Sequence, residues 1–326
     1  MAHEILNHNG IAQAIYGRGR PAWHNLGQVM PEYLSWDDAL AVVDYEVECR
    51  GAFYAAKGGM QSAPGQVVVG RWQNGIERPL ALVGDGYEPV QNRDAFAVCR
   101  LLGRIDTAGT LADGRRAWML VHLESESFSI GKPEDQIETY VLVSNAHDGK
   151  QAVRMALTTI RVVCANTEGA AISQAKNSKK SYFAIPHTGN ALPEVERVSK
   201  ILIAAKAGVS ATRDAFELIA SRKLDGARRA EIIERLFGWA EADRDKEISE
   251  RVKENRAETL KLIQSFLDLD PLADPSTGWG TFNALTAWSD HGRTCRDDAT
   301  RFESAHFGAG ARFKARALKE IVAAVS

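Results

Sequence analysis

Cys164, His147 and Asp148 are the side chains of this sequence whose types suit nucleophilic catalysis. A thiol near its free pKa is mostly protonated, so a cysteine nucleophile needs a histidine base, and the base needs a carboxylate to orient it. The local sequence argues otherwise. Cys164 follows Ile160, Val162 and Val163 and is expected to pack as a small apolar residue. His147-Asp148-Gly149 has the composition of a turn. No catalytic residue is expected, and the chain reads as a non-enzyme. The eight histidines show neither HxxxH nor HExxH spacing, so no metal site is expected. No GxGxxG or GxxxxGK[ST] pattern sits where a strand would feed a helix, and no cofactor is expected. Gly84-Asp85-Gly86 reads as a turn. The run HFGAGARFKAR could cradle a phosphate at a helix N-terminus, but the plainer reading, a loop that starts the last helix, is preferred.

A binding chemistry is better represented. Lys150, Arg154, Arg161, Lys176, Lys179 and Lys180 form a basic stretch with Tyr182 and Phe183 beside it. Cationic side chains neutralise phosphates and release counterions, and adjacent aromatic rings stack on unpaired bases. AKNSKKSYF also has loop composition, which suits a binding arm. Nearer the start, Trp23-His24-Asn25 follows Arg18 and Arg20 and could serve the same purpose, although a Trp anchored in the core is the preferred reading.

Composition sets the outer limits. The chain has 326 residues, 45% hydrophobic and 25% charged, as in ordinary globular proteins. No apolar run is long enough to span a bilayer, and the N-terminus lacks the basic and apolar regions of a signal peptide. Cys49, Cys99, Cys164 and Cys295 lie far apart with no CxxC pair, which fits a reducing cytoplasm. The net charge of −2 is unevenly spread: residues 1–148 carry 12 Lys+Arg against 19 Asp+Glu, and residues 149–187 carry 6 against 1. Only that middle segment gives reason to expect nucleic acid.

The elements that must position these residues are of two kinds. Up to about residue 187 the pattern is mixed. Ser35 caps a helix over WDDALAVV. VECRGAFYAA and QVVVGRW are strands separated by a loop, KGGMQSAPG, and PLALVG is a third strand. Asn92 caps one helix over RDAFAVCRLLGRI. A hairpin turns on ADGR, and ETYVLVSNAHDG faces a long strand, QAVRMALTTIRVVC. On that strand Arg154 and Arg161 fall on opposite faces unless a bulge intervenes. From Pro193 onward, three-and-four spacing of apolar residues predicts helices. The expected fold is α+β: an antiparallel β-sheet with helices on one face over residues 1–187, then an α-helical C-terminal domain over 188–326.

Four stretches in order, PAWHNLG, GDGYEPVQNRDAF, NAHDGKQAVRMALTTIRVVCANT, and WGTFNALTAWSDHG followed by HFGAGARFKARAL, resemble a phage/plasmid-like family built on domain of unknown function 932. The resemblance implies a protein of phages, prophages or conjugative plasmids with no assigned activity. The β-β-β-α body is also similar to that of phage and eukaryotic single-strand annealing recombinases, a likeness of fold without a residue motif. The expectation is therefore a non-enzymatic, cytoplasmic protein that binds or anneals single-stranded DNA in recombination or replication. The basic arm would hold the backbone, and a homo-oligomer would be compatible with annealing. The alternative is a protein-interaction factor acting on host replication or defence without DNA contact.

Overall fold

The structure is a computed structural model and describes residues 7–8, 11–12, 14–19, 27–73, 76–131, 134–161, 167–168, 182–195, 197, 208–239 and 248–326. It is an α+β fold built on antiparallel sheets. A short ribbon, β1 (Asn7–His8) with β2 (Ile11–Ala12), stands apart. The main sheet contains β3 (Ala14–Tyr16), β4 (Gln28–Val29), β8 (Arg104–Leu111), β9 (Arg116–His122), β10 (Phe128–Ile130), β11 (Asp135–Ala146), β12 (Val153–Arg161), β13 (Thr167–Glu168) and β14 (Tyr182–Ile185). Its order is β13-β12-β11-β9-β8-β3-β4, with β10 on β11 and β14 on β12. All pairs are antiparallel except β3 with β4. A separate three-stranded sheet runs β5 (Glu46–Ala56), β6 (Gly59–Gln73), β7 (Ile76–Gly84).

Alternation along the strands gives the main sheet two different faces. Met119, Val121, Val141, Val143, Met155 and Leu157 join one large apolar core. Trp118, Leu120, Tyr140, Leu142 and Ala156 form a smaller cluster on the other face, beneath Phe307. The large core is shared with the helices α1 (Trp36–Val43), the short α2 (Asn92–Phe96) and α3 (Cys99–Leu102), then α4 (Gly208–Ser221), α5 (Gly226–Phe237), α6 (Glu250–Asp268) and α7 (Gly278–Ala287), while α8 (Asp298–His306) leads into Phe307 of the smaller cluster and α9 (Ala309–Val325) returns to the large one. Phe216 of α4 meets Phe128 of β10 at 6.3 Å. Trp279 of α7 donates its Nε1–H to Asp135 Oδ2 on β11 at 2.9 Å. A π-helical turn, Trp288–Gly292, continues α7.

Several local expectations change. Ser35 caps α1 as expected, in a full capping box with Asp38. The segment expected as a loop, KGGMQSAPG, is instead mostly strand: β5 and β6 pair to the tip at Ala56↔Gly59. Gly58 and Gly59 lie at that tip, while Pro64 and Gly65 sit in an irregular stretch between Ser62 and Val67, where Gly65 adopts φ +73°. The hairpin thus runs beyond β7, which pairs with β6 only from Gln66 onward. The helix expected over 93–105 is broken into α2 and α3, and Asn92 does not cap it. Its side chain reaches Val43 O at 2.7 Å instead, tying α2 to the end of α1.

Candidate nucleic-acid cleft

Of the basic stretch, the structure describes Lys150 and Arg154 fully and gives Arg161 and Tyr182 a backbone position. Lys176, Lys179, Lys180, Cys164 and the Trp23-His24-Asn25 cluster with Arg20 lie outside the described residues. Lys150 is exposed in the turn after β11, its backbone N–H held by Asp148 Oδ1 at 2.9 Å. Arg154 points into the protein. It is 6% exposed, its Nη1 donates to Glu303 Oε1 at 2.7 Å, and its guanidinium lies 4.4 Å from the centre of the Phe307 ring. Its charge is therefore matched within the chain. β12 keeps an uninterrupted register with β11 from Arg161↔Ile137 to Arg154↔Ser144, so positions 154 and 161 occupy opposite faces. Position 182 pairs with Ala156, on the face of Arg154.

His147 and Asp148 do not act on one another. His147 is fully buried, and its Nε2 hydrogen-bonds Asn92 Oδ1 at 3.0 Å. Burial, helped by the neighbouring His187, pushes its pKa down to about 3. Asp148 pairs with Arg116 at 3.2 Å. The glycine-rich start of α9 is likewise engaged: Gly310 N–H donates to Ser304 Oγ at 3.1 Å, and Lys314 is buried against Asp290 at 2.8 Å.

A different set of residues forms a cleft of about 490 Å³, within the ordinary range for small-ligand pockets. Three elements build it. Glu32, Tyr33 and Leu34 precede α1, and Leu34 bridges to Ile105 of β8. Trp36 opens α1, and Arg100 lies on α3. Gly103 then turns the chain into β8, where Arg104 and Ile105 close the cleft. That glycine is needed for close approach, since a Cβ there would come within 2.3 Å of His122 O on β9. Arg100 sits over the Trp36 ring at 5.5 Å, and Arg104 over the Tyr33 ring at 5.1 Å. Both distances lie inside cation–π range, so each ring holds a guanidinium in place. Arg104 has only a 3.8 Å contact with the exposed Glu124, which solvent largely screens.

A polar network supports the cleft from behind. Arg18, with φ +56°, lies over the same Tyr33 ring at 5.1 Å. Its Nε donates to Asp106 Oδ1 at 2.6 Å, Nη1 to Glu138 Oε1 at 2.7 Å, and Nη2 to Tyr140 Oη at 2.6 Å. Burial opposes its charge, but the bonds to Glu138 and Asp106 outweigh that and raise its pKa. Tyr33 Oη and His122 Nδ1 share a hydrogen bond of 2.6 Å, and His122 Nε2 meets Ser127 Oγ at 3.0 Å. The His122 ring lies near-parallel to Tyr33 and tilted by 34° to Tyr140, with centroids at 5.8 and 5.0 Å, and burial lowers its pKa. The support is hydrogen-bonded within itself, while Arg100, Arg104 and the two rings line a groove. Sequence reasoning passed over these residues because Tyr33–Trp36 and Arg100–Arg104 are far apart in the chain and neither segment is strongly basic.

Among the described residues no group of three His, Cys, Asp or Glu side chains is gathered that could hold a metal ion, and no helix is long and apolar enough to cross a membrane. Residues 79–306 match the model of a family described as a domain of unknown function, DUF932. The match takes in Arg100 and Arg104, while Tyr33 and Trp36 precede it. No curated protein and no solved structure matches the chain.

Proposed function

We propose, for a chain that belongs to the DUF932 family of domains of unknown function, that it is a non-enzymatic protein binding single-stranded DNA. Its setting would be the recombination or replication of a phage or plasmid, in the cytoplasm of the host. The observation that carries this reading is the pairing of Arg100 with Trp36 and of Arg104 with Tyr33 along one cleft. Single-strand binders combine cations that track the backbone with rings on which bases stack; here Arg100 and Arg104 would supply the cations and Trp36 the ring, Tyr33 being covered by Arg18 and Arg104. The basic segment around Lys176, Lys179 and Lys180 would add backbone contacts, with Lys150 at its start.

Anisotropy of a fluorescent oligonucleotide at low salt tests it. Trp36→Ala is expected to cost about 1–3 kcal/mol of binding, the worth of one stacked base. Arg104→Ala should weaken binding across all sequences and reduce the salt slope by about one. Failure of the wild-type protein to bind any oligonucleotide at low salt would sink the proposal.

A second reading, a protein-interaction factor, is favoured by the β5–β6 tip. Phe53 and Met60 are 63% and 68% exposed there, and register places them on one face. If that reading holds, a partner captured from nuclease-treated lysate by the wild type should be lost with Phe53→Ser/Met60→Ser.

A further inference from the structure

We propose that the joint between the β5–β6–β7 sheet and the β8–β9 turn is a binding site for a phosphate-type oxyanion, with Arg71 at its centre. This goes beyond the cleft, which lies at the other end of β8, roughly 25 Å away at about 3.3 Å per strand residue.

Arg71 occupies an inner-face position of β6. It is directly opposite Val47 and two residues from Val69, both members of the small core under that sheet. An arginine at such a position is expected to find a carboxylate. The other deeply buried cations among the described residues do so: Arg154 faces Glu303 and Lys314 faces Asp290. Arg71 is 3% exposed, and its Nε and Nη1 have no hydrogen-bond partner.

The surroundings concentrate positive charge further. Arg78 is the direct cross-strand neighbour of Arg71. Arg115 follows Gly114 and donates its Nε–H to Leu80 O at 3.1 Å, on the strand that carries Arg78. The Arg71 guanidinium lies 5.1 Å from the centre of the Tyr45 ring and presses on Gly114, where a Cβ would meet Nη1 at 2.2 Å. Tyr45 Oη donates to Gly114 O, which fixes ring and turn together. The turn itself is left-handed at Ala112, Asp113 and Gly114, with φ of 52°, 57° and 80°. Asp113 acts on Arg71 only at a distance, while burial and Arg78 both work against the charge.

A ring face offsets part of the lost hydration of a cation, yet two buried N–H donors remain without an acceptor. Nη1 lies on the edge that faces Gly114, so the open donor for an anion is the Nε–H on the opposite edge of the guanidinium; a charge-assisted bond from it can hold a phosphate oxygen, and Arg78 and Arg115 supply the further charge that such an anion calls for. The ligand class is a phosphate oxyanion, either free phosphate or the diester of a nucleic acid.

Calorimetric titration of the full chain with inorganic phosphate, against chloride of matched ionic strength, tests the site. The wild type should take up one phosphate per chain, and Arg71→Met should weaken it by at least about tenfold. In phosphate-free buffer Arg71→Met should melt no lower than the wild type, because it removes an unpaired buried charge; a purely structural arginine would give the opposite. Should that variant fail to fold, exposed Arg78→Gln carries the test and should weaken uptake severalfold. No phosphate uptake by the wild type, or unchanged affinity in the variants, overturns the site. Displacement of phosphate by a deoxydinucleotide identifies the diester as ligand, and lack of displacement identifies the free ion. Loss of this site leaves oligonucleotide binding through Trp36 and Arg104 to be judged separately.

Discussion

Asn92 joins three elements through one side chain. Its Nδ2 serves Val43 O, and its Oδ1 receives both Asn145 Nδ2 at 2.9 Å and His147 Nε2. Asn92→Ala leaves several of these buried groups unmatched and should cost about 2–4 kcal/mol in urea unfolding. The buried histidines set an acid limit. Burial drives the pKa of His147 and His306 down to about 3 and that of His187 to about 4. The unfolded chain, with ordinary histidines near 6.5, binds more protons below that pH. Their contribution to stability is therefore full above about pH 6.5 and is lost as pH falls toward 4. Each should contribute a slope of up to roughly 1.4 kcal/mol per pH unit inside that window. Urea midpoints measured from pH 7 to pH 4.5 check this, and a flat profile would count against neutral buried histidines. The sequence pointed to Asn92 and His147 as a helix cap and a turn residue. Their partnership was not legible, because one buried hydrogen bond between distant residues leaves no local pattern.

At the level of elements, the legible features were those with a local physical cause. The Ser35 capping box, the ADGR turn between β8 and β9, and the alternation of β12 all follow from short-range rules. The break between α2 and α3 did not, because apolar spacing runs straight through Ala97 and Val98. Nor did the π-helical turn after α7. The break matters to the cleft, since it aims Arg100 beside Trp36 and brings Gly103 against β9. Gly103→Ala forces a Cβ toward His122 O, and overpacking of this kind costs about 1–3 kcal/mol. The expected outcome is a lower melting temperature together with weaker oligonucleotide binding. Full retention of binding would show that α3 and β9 can separate without disturbing the cleft.

Across the whole molecule, the α+β class and the order of strand-rich and helix-rich regions were visible in hydrophobic periodicity. The seating of the helices on the sheet was not, because contacts such as Phe216 with Phe128 and Trp279 with Asp135 join residues far apart in sequence. The shared core carries its own expectation. Phe216 is fully buried, and Phe216→Ala should cost about 3–5 kcal/mol. Sheet and helix signals in circular dichroism should then fall together in one earlier transition; two separate transitions would contradict a common core. The charge pattern was only half informative. A basic segment at 149–187 is real in sequence, yet Arg154 spends its charge on Glu303, while Arg100 and Arg104 stand in an acidic half of the chain and line a groove.

The β5–β6 hairpin offers a practical handle. Its tip at Lys57 and Gly58 projects past the end of β7, and no large core residue depends on it. Exposed turns of this kind accept added chain with little loss. A short epitope inserted between Lys57 and Gly58 should leave the melting temperature unchanged, giving an attachment point for immobilisation or labelling at the opposite end of β6 from Arg71.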